Sequence, residues 1–141
     1  MSQPRDDRQK ELFRPALEEV IDMGHTLVRL SERIDWDHLE RELGSVFHPG
    51  VGHPALPARL MAGLLILKQL YALSDKALCA RWIENPYFQY FCGEQVFRHA
   101  LGFDPSSLSR WRRRLGTDRL TQLIEARVRI ANRSEALIAK G

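Results

Sequence analysis

Cysteine and long apolar runs are scarce in this sequence, and their scarcity excludes several classes of protein. The 141 residues include two cysteines, Cys79 and Cys92, which form no C-x-x-C pair and which we interpret as reduced thiols rather than metal ligands. No window reaches the roughly 18 unbroken apolar residues that a membrane-spanning helix needs. The start, MSQPRDDRQKELF, lacks the apolar core of a signal peptide, so we expect a cytoplasmic protein.

Histidines are few and do not form a metal-binding pattern. His48 and His53 lie five residues apart on a loop rich in glycine and proline, but the third and fourth ligands of a zinc site are missing. His25, His38 and His99 join no tighter cluster. We therefore assign no metal ligand and expect no metal ion and no cofactor in this chain.

Alternating, strand-like segments are almost absent, so the sequence predicts an all-α fold. We expect a polar tail over residues 1–14, a multi-helix domain over residues 15–116, and a long C-terminal helix over residues 117–141. Segment 94–103 has no clear signal and is consistent with either a loop or a short hairpin.

Turn and capping signals predict where the helices of this domain begin and end. A first block, from about Pro15 to Ile34, has a break at Gly24. The later signals are Asp35 and Ser74 as N-caps, Pro57 as the start of a central apolar helix, and Asn85-Pro86 as a stop. After that stop Tyr87, Phe88 and Phe91 share one helical face, where aromatic rings either stack on bases or pack in the core; packing is the favoured interpretation.

Acidic residues are rare in the C-terminal third of the chain, which makes the charge distribution uneven. From Arg98 to Arg133 there are nine Lys and Arg against three Asp and Glu, a local net charge of +6 in a chain whose formal net charge is +3. A basic surface confined to one region is typical of proteins that bind nucleic acids.

The centre of that basic region is DPSSLSRWRRRLG, residues 104–116, which has the signals of a capped helix. Asp104 supplies the cap and Pro105 the first helical position. Advancing 100° per residue places Leu108, Trp111 and Leu115 on one side. The other side carries Ser106, Ser109, Arg110 and Arg113, with Arg112 and Arg114 on the flanks.

This division predicts a DNA-recognition helix, which makes residues 15–116 a DNA-binding domain with a helix-turn-helix-like segment. Arg110 and Arg113 would read base edges in a major groove, and Ser106 and Ser109 would bind bases or phosphates. Arg112 and Arg114 would lie nearer the phosphates. Two other interpretations remain open, a solvated basic face and a localisation signal.

The last helix, from Thr117 onward, has two apolar stripes, one more than a single intramolecular contact needs. We expect this helix to form a homodimer or to pack on a further domain.

Three stretches together carry a resemblance to a known family: GHPALPARLMAGLLILKQLYALSDKAL, NPYFQYFCG and DPSSLSRWRRRLG. They resemble the N-terminal region of bacterial insertion-sequence transposases of the InsH-like group, within the DDE class, over roughly Phe13 to Leu120. The most specific pieces are Gly52-x-Pro54-x-x-Pro57, Leu73-Ser74-Asp75 and the segment from Ser106 to Arg112. The resemblance implies binding to the double-stranded DNA of terminal inverted repeats, followed by an RNase H-like domain whose three carboxylates hold two Mg²⁺ ions.

The chain departs from this family because it stops at Gly141, where the first catalytic strand would be expected. We therefore interpret it as the DNA-binding part of a transposase, cut from a longer enzyme, split or decayed, and not as an enzyme by itself. A stand-alone helix-turn-helix repressor and a helical protein-interaction module are the alternatives.

One prediction follows from the missing catalytic strand. Incubated with a terminal-repeat duplex and Mg²⁺ or Mn²⁺, the purified chain should produce no nicks, because its acids lie mostly on helices among basic neighbours and cannot converge on two metal ions. Gel analysis of the labelled duplex measures this. Nicking by protein free of contaminating nuclease contradicts the prediction.

Overall fold

The computed structural model describes residues 14–44 and 57–115, together with Gln122 and Glu125. Within these ranges the chain forms helices and loops and no strand, which confirms the all-α prediction. The helices in chain order are α1 (Leu17–Val20), α2 (Thr26–Arg33), α3 (Trp36–Gly44), α4 (Ala58–Leu70), α5 (Asp75–Glu84), α6 (Pro86–Phe91) and α7 (Ser107–Leu115).

Side-chain caps begin several of these helices at the positions that the sequence indicates. The Ser74 hydroxyl accepts from the Ala77 N–H at 3.1 Å, and the Asp35 carboxylate accepts from the His38 N–H at 3.1 Å. Asn85 ends α5 and also caps α6, because its side-chain oxygen accepts from the N–H groups of Tyr87 and Phe88. Each contact satisfies a donor that the first turn of a helix leaves free.

The predicted break at Gly24 separates α1 from α2. The His25 ring begins α2, since its Nδ1 accepts from the Leu27 N–H at 3.1 Å. The same ring stacks on Tyr87 with centroids 3.9 Å apart. The cap therefore also fixes α2 against α6.

Helix α4 lies at the centre of the molecule. All eight residues from Leu60 to Leu67 are buried, so more than two turns are covered on every side, as a helix that is apolar all round requires. Helices α3 and α5 pack against α4, while α2 and α5 pack against α6. No helix in the described part of the chain is long and apolar enough to cross a membrane.

Three aromatic residues of α6 contribute to the core: Phe88 and Phe91 are buried in it, and Tyr87 is half-buried against it. Phe88 is 1% exposed and Phe91 is fully buried, which confirms packing as their role. Trp36 meets the Phe91 ring edge-on at 5.2 Å, and the Arg59 guanidinium lies 3.9 Å from the centroid of the Trp36 ring. These two contacts of Trp36 join α3 to α6 and to α4.

Residues 92–106, which include the segment left open by the sequence, form a loop that the buried side chain of Gln89 holds in place. Gln89 Nε2 donates to the carbonyls of Trp82 and Arg98, and its Oε1 accepts from the Arg98 N–H at 2.7 Å. The helix-turn-helix-like segment is not confirmed within the described residues. The N-terminal tail, the loop with His48 and His53, and most of the C-terminal helix lie outside the described residues.

The close approach of α4 to Cys92 generates a stability prediction at Gly63. A Cβ there would lie 2.7 Å from the Cys92 Sγ and 3.0 Å from its Cα. Alanine gains about 1 kcal/mol in helix propensity but overpacks the core by about 1–3 kcal/mol, so Gly63→Ala should destabilise the fold by up to about 2 kcal/mol net. Urea unfolding measures the change. Gly102→Ala, where no atom lies within 4 Å of the added Cβ, is the matched control, and equal stability of the two variants contradicts the prediction.

A second stability prediction concerns Trp111, which is 9% exposed and belongs to the same core as α4. Trp111→Ala should cost roughly 3–5 kcal/mol of unfolding free energy, as large aromatic deletions do. Thermal and urea unfolding measure it, with Arg113→Ala on the exposed face of α7 as the control. An unchanged unfolding midpoint in Trp111→Ala, together with lost DNA binding, would assign the ring to the ligand instead.

Candidate nucleic-acid interface

Helix α7 begins where Asp104 satisfies its first backbone donors. The Asp104 carboxylate accepts from the Ser106 N–H at 3.0 Å, and its carbonyl oxygen accepts from the Ser107 N–H at 2.9 Å. The hydrogen bonds from Ser106 lower the pKa of Asp104. The predicted cap is confirmed, although the regular helix starts at Ser107 and not at Pro105.

One face of α7 is anchored in the core. Leu108 is fully buried and Trp111 is nearly so, and the Trp111 ring packs at a tilt on Phe103 with centroids 5.8 Å apart. The rotation of α7 predicted from the sequence is confirmed at these two positions.

The opposite face of α7 presents arginine and serine side chains. Arg110 and Arg113, one turn apart, are both exposed, as is Ser106. Arg110 Nη2 is 3.4 Å from the Ser107 Oγ, and the half-buried Ser109 donates its hydroxyl to the Ser106 carbonyl at 3.0 Å. Among the described residues, no acid forms an ion pair with Arg110 or Arg113. Their guanidinium groups are therefore available to acceptors outside the domain.

Arg112 is placed differently from its exposed neighbours. Its Nη1 donates to the Asp75 Oδ1 at 2.6 Å and its Nη2 to the Oδ2 at 2.7 Å, a two-point pair between α7 and the first residue of α5. The helical pattern of the sequence predicts Arg112 near phosphates, whereas in the folded domain its terminal nitrogens already have a carboxylate partner.

A third charged group completes the contact around Asp75. Lys68 Nζ lies 3.1 Å from the Asp75 Oδ1 and donates to the Leu73 carbonyl at 2.8 Å. The hydrogen bonds from Arg112, and then from Lys68, lower the pKa of Asp75 although partial burial opposes them. Hydrogen bonding to Asp75 in turn raises the pKa of Arg112. We call Lys68, Asp75 and Arg112 the charged clamp.

Sequence reasoning missed two residues that shape this region. Asp75 lies 37 positions before Arg112, and its signal was its place in Leu73-Ser74-Asp75, one of the specific pieces of the resemblance. Gln89 lies in an aromatic stretch and gave no signal. Of the six predicted site residues, Ser106, Ser109, Arg110 and Arg113 lie together on or beside the outer face of α7, Arg112 joins the clamp, and the side chain of Arg114 lies outside the described residues.

The acids of the domain do not gather into a metal-binding arrangement in the part of the chain that the structure describes. No group of three His, Cys, Asp or Glu side chains there is placed to hold a metal ion.

Comparison with known proteins places the domain. A protein of Rhizobium meliloti, described as uncharacterized protein ORF8 in the nfe locus, is 41% identical over 121 residues, which cover 86% of this chain and 58% of the relative. The chain thus spans less than two thirds of the length of that relative. No solved structure matches the chain. The family model described as Transposase domain (DUF772) matches residues 15–114, and the chain therefore belongs to this family of transposase domains.

Proposed function

We propose that this chain is the DNA-binding N-terminal domain of an insertion-sequence transposase, and that α7 recognises the terminal inverted repeats of the element. Membership of a family of transposase domains supports the assignment of the chain to a transposase. The observation that carries the proposal is the pair of exposed arginines without an ion-pair partner in the described chain, Arg110 and Arg113, on a helix whose other face Leu108 and Trp111 fix in the core.

The chemistry of α7 suits a major groove. A guanidinium group donates two parallel hydrogen bonds to the O6 and N7 atoms of guanine, so Arg110 and Arg113 would read bases on adjacent steps. Ser106 and Ser109 add hydroxyl groups for bases or phosphates. Arg114 would bind phosphate, which positions the domain without reading sequence.

The wider charge distribution supports the same function. The net charge of +6 over residues 98–133 would attract the phosphate backbone and make binding depend on salt. Strand cleavage would be the task of a carboxylate domain of the kind found in DDE transposases, with this chain acting on DNA in the cytoplasm. A homodimer through the C-terminal helix remains part of the proposal.

The proposed function predicts that alanine substitutions of the two exposed arginines on α7 lower DNA specificity, whereas the same substitution of an exposed arginine elsewhere does not. Arg110→Ala and Arg113→Ala should each lower the preference for a specific duplex over a scrambled one by about 1–3 kcal/mol, because each removes a base contact. Arg41→Ala, an equal charge change on the exposed part of α3, is the control and should leave the preference unchanged.

Selection from a random duplex pool with the 141-residue protein identifies the specific duplex. Fluorescence anisotropy at several salt concentrations then gives the affinities for the selected and scrambled duplexes. The selected sequence should match inverted repeats on both sides of the gene. If both α7 variants prefer the selected duplex as strongly as the parent does, the arginines form only a solvated face and the proposed interface is wrong.

A further inference from the structure

Helix α7 has few attachments to the rest of the domain as far as the structure describes it. Within the described residues it belongs to none of the closely packed helix pairs. Its described contacts with the core are the side chains of Leu108 and Trp111, which lie on one stripe of the helix. A single apolar stripe sets the position of a helix but leaves rotation about its axis less restricted.

The charged clamp supplies a contact off that stripe. Arg112 follows Trp111 and therefore points about 100° further around the helix. The clamp side chains of Arg112 and Asp75 are 24% and 28% exposed, so water screens their pairing only in part. Two parallel hydrogen bonds to one carboxylate also restrict direction, which a single contact between point charges does not.

Lys68 extends the clamp to the centre of the fold. Its ammonium group links Asp75 to the Leu73 carbonyl, and its own backbone belongs to α4, the buried central helix. The clamp therefore fixes the direction of Arg112 relative to the most deeply buried helix of the domain.

Small rotations of α7 matter for recognition at its outer face. A turn of about 20° around the helix axis moves groups at the helix surface by roughly 2 Å, comparable to the distance over which a hydrogen bond is lost. Arg110 and Arg113 would then miss the acceptors that they reach in the clamped orientation.

We infer that Asp75 is a positioning residue for DNA recognition: through Arg112 it fixes the rotation of α7 that aims Arg110 and Arg113 at the bases. The inference rests on the proposed function. It assigns Arg112 to the clamp and not to phosphate binding, and it gives an acidic residue a positive role on a surface that binds a polyanion.

The sign of the Asp75→Asn effect separates this role from simple electrostatics. Removing a negative charge beside a DNA-binding helix, and releasing Arg112 toward phosphates, would strengthen binding to every duplex. Positioning predicts the opposite for the selected duplex. The preference of Asp75→Asn for the selected over the scrambled duplex should fall by about threefold to tenfold, which lies within the range of interaction free energies between residues in contact. Binding to the scrambled duplex should not weaken.

Arg112→Lys provides the second variant, because it keeps the charge and loses the two-point geometry. If the clamp acts as a unit, Arg112→Lys should lower the preference as Asp75→Asn does, and the double variant should lose no more than either single one. Glu84→Gln is the matched control, an exposed acid at the other end of α5 that forms no ion pair within the described residues.

The measurements are anisotropy titrations of the five proteins (parent, three single variants and the double variant) with selected and scrambled duplexes. They are made at a temperature where circular dichroism shows each protein fully folded. The positioning role is overturned if Asp75→Asn binds the selected duplex at least as tightly as the parent does, or if Arg112→Lys keeps the parental preference. If the parent itself prefers neither duplex, the proposed function is wrong and the positioning role is wrong with it. If the parent prefers the selected duplex and Asp75→Asn prefers it equally strongly, only the positioning role is wrong.

Discussion

The burial of α4 is the constraint on which the rest of the structure depends. Eight consecutive residues of this helix are out of water, and an apolar surface of that extent is stable only when other elements cover every side. Helices α3 and α5 cover it directly, and the rings of α6 complete the core. Helix α7 adds Leu108 and Trp111 to this core and has its polar residues on its exposed side.

The positive charge on the exposed side of α7 is the basis of the proposed function. An amphipathic helix normally mixes both signs of charge on its exposed face, whereas the segment after Asp104 has arginines and no acid as far as Leu115. The acid that balances one of these arginines comes instead from α5, at the position of Asp75. The fold thus neutralises Arg112 and leaves Arg110 and Arg113 without an ion-pair partner in the part of the chain that the structure describes.

Local signals in the sequence were sufficient for several features because each depends on neighbouring residues. Asp35, Ser74 and Asp104 cap helices within three residues of themselves, so their roles are visible in the sequence. The rotation of α7 was also predictable, since the spacing of Leu108 and Trp111 alone defines its apolar stripe. The resemblance to transposases, carried by short motifs, is confirmed by the family to which the chain belongs.

The sequence by itself determined the all-α class, the places where most helices begin, and the separation of α7 into a buried and a basic face. These properties follow from periodicity and capping, which act over one or two turns of the chain. Only the tertiary structure decided that Arg112 pairs with Asp75 and that Gln89 holds the loop before α7. Those contacts join residues through the packing of separate helices, and the pairing of a charged or amide group across such a distance leaves no periodic trace in the sequence.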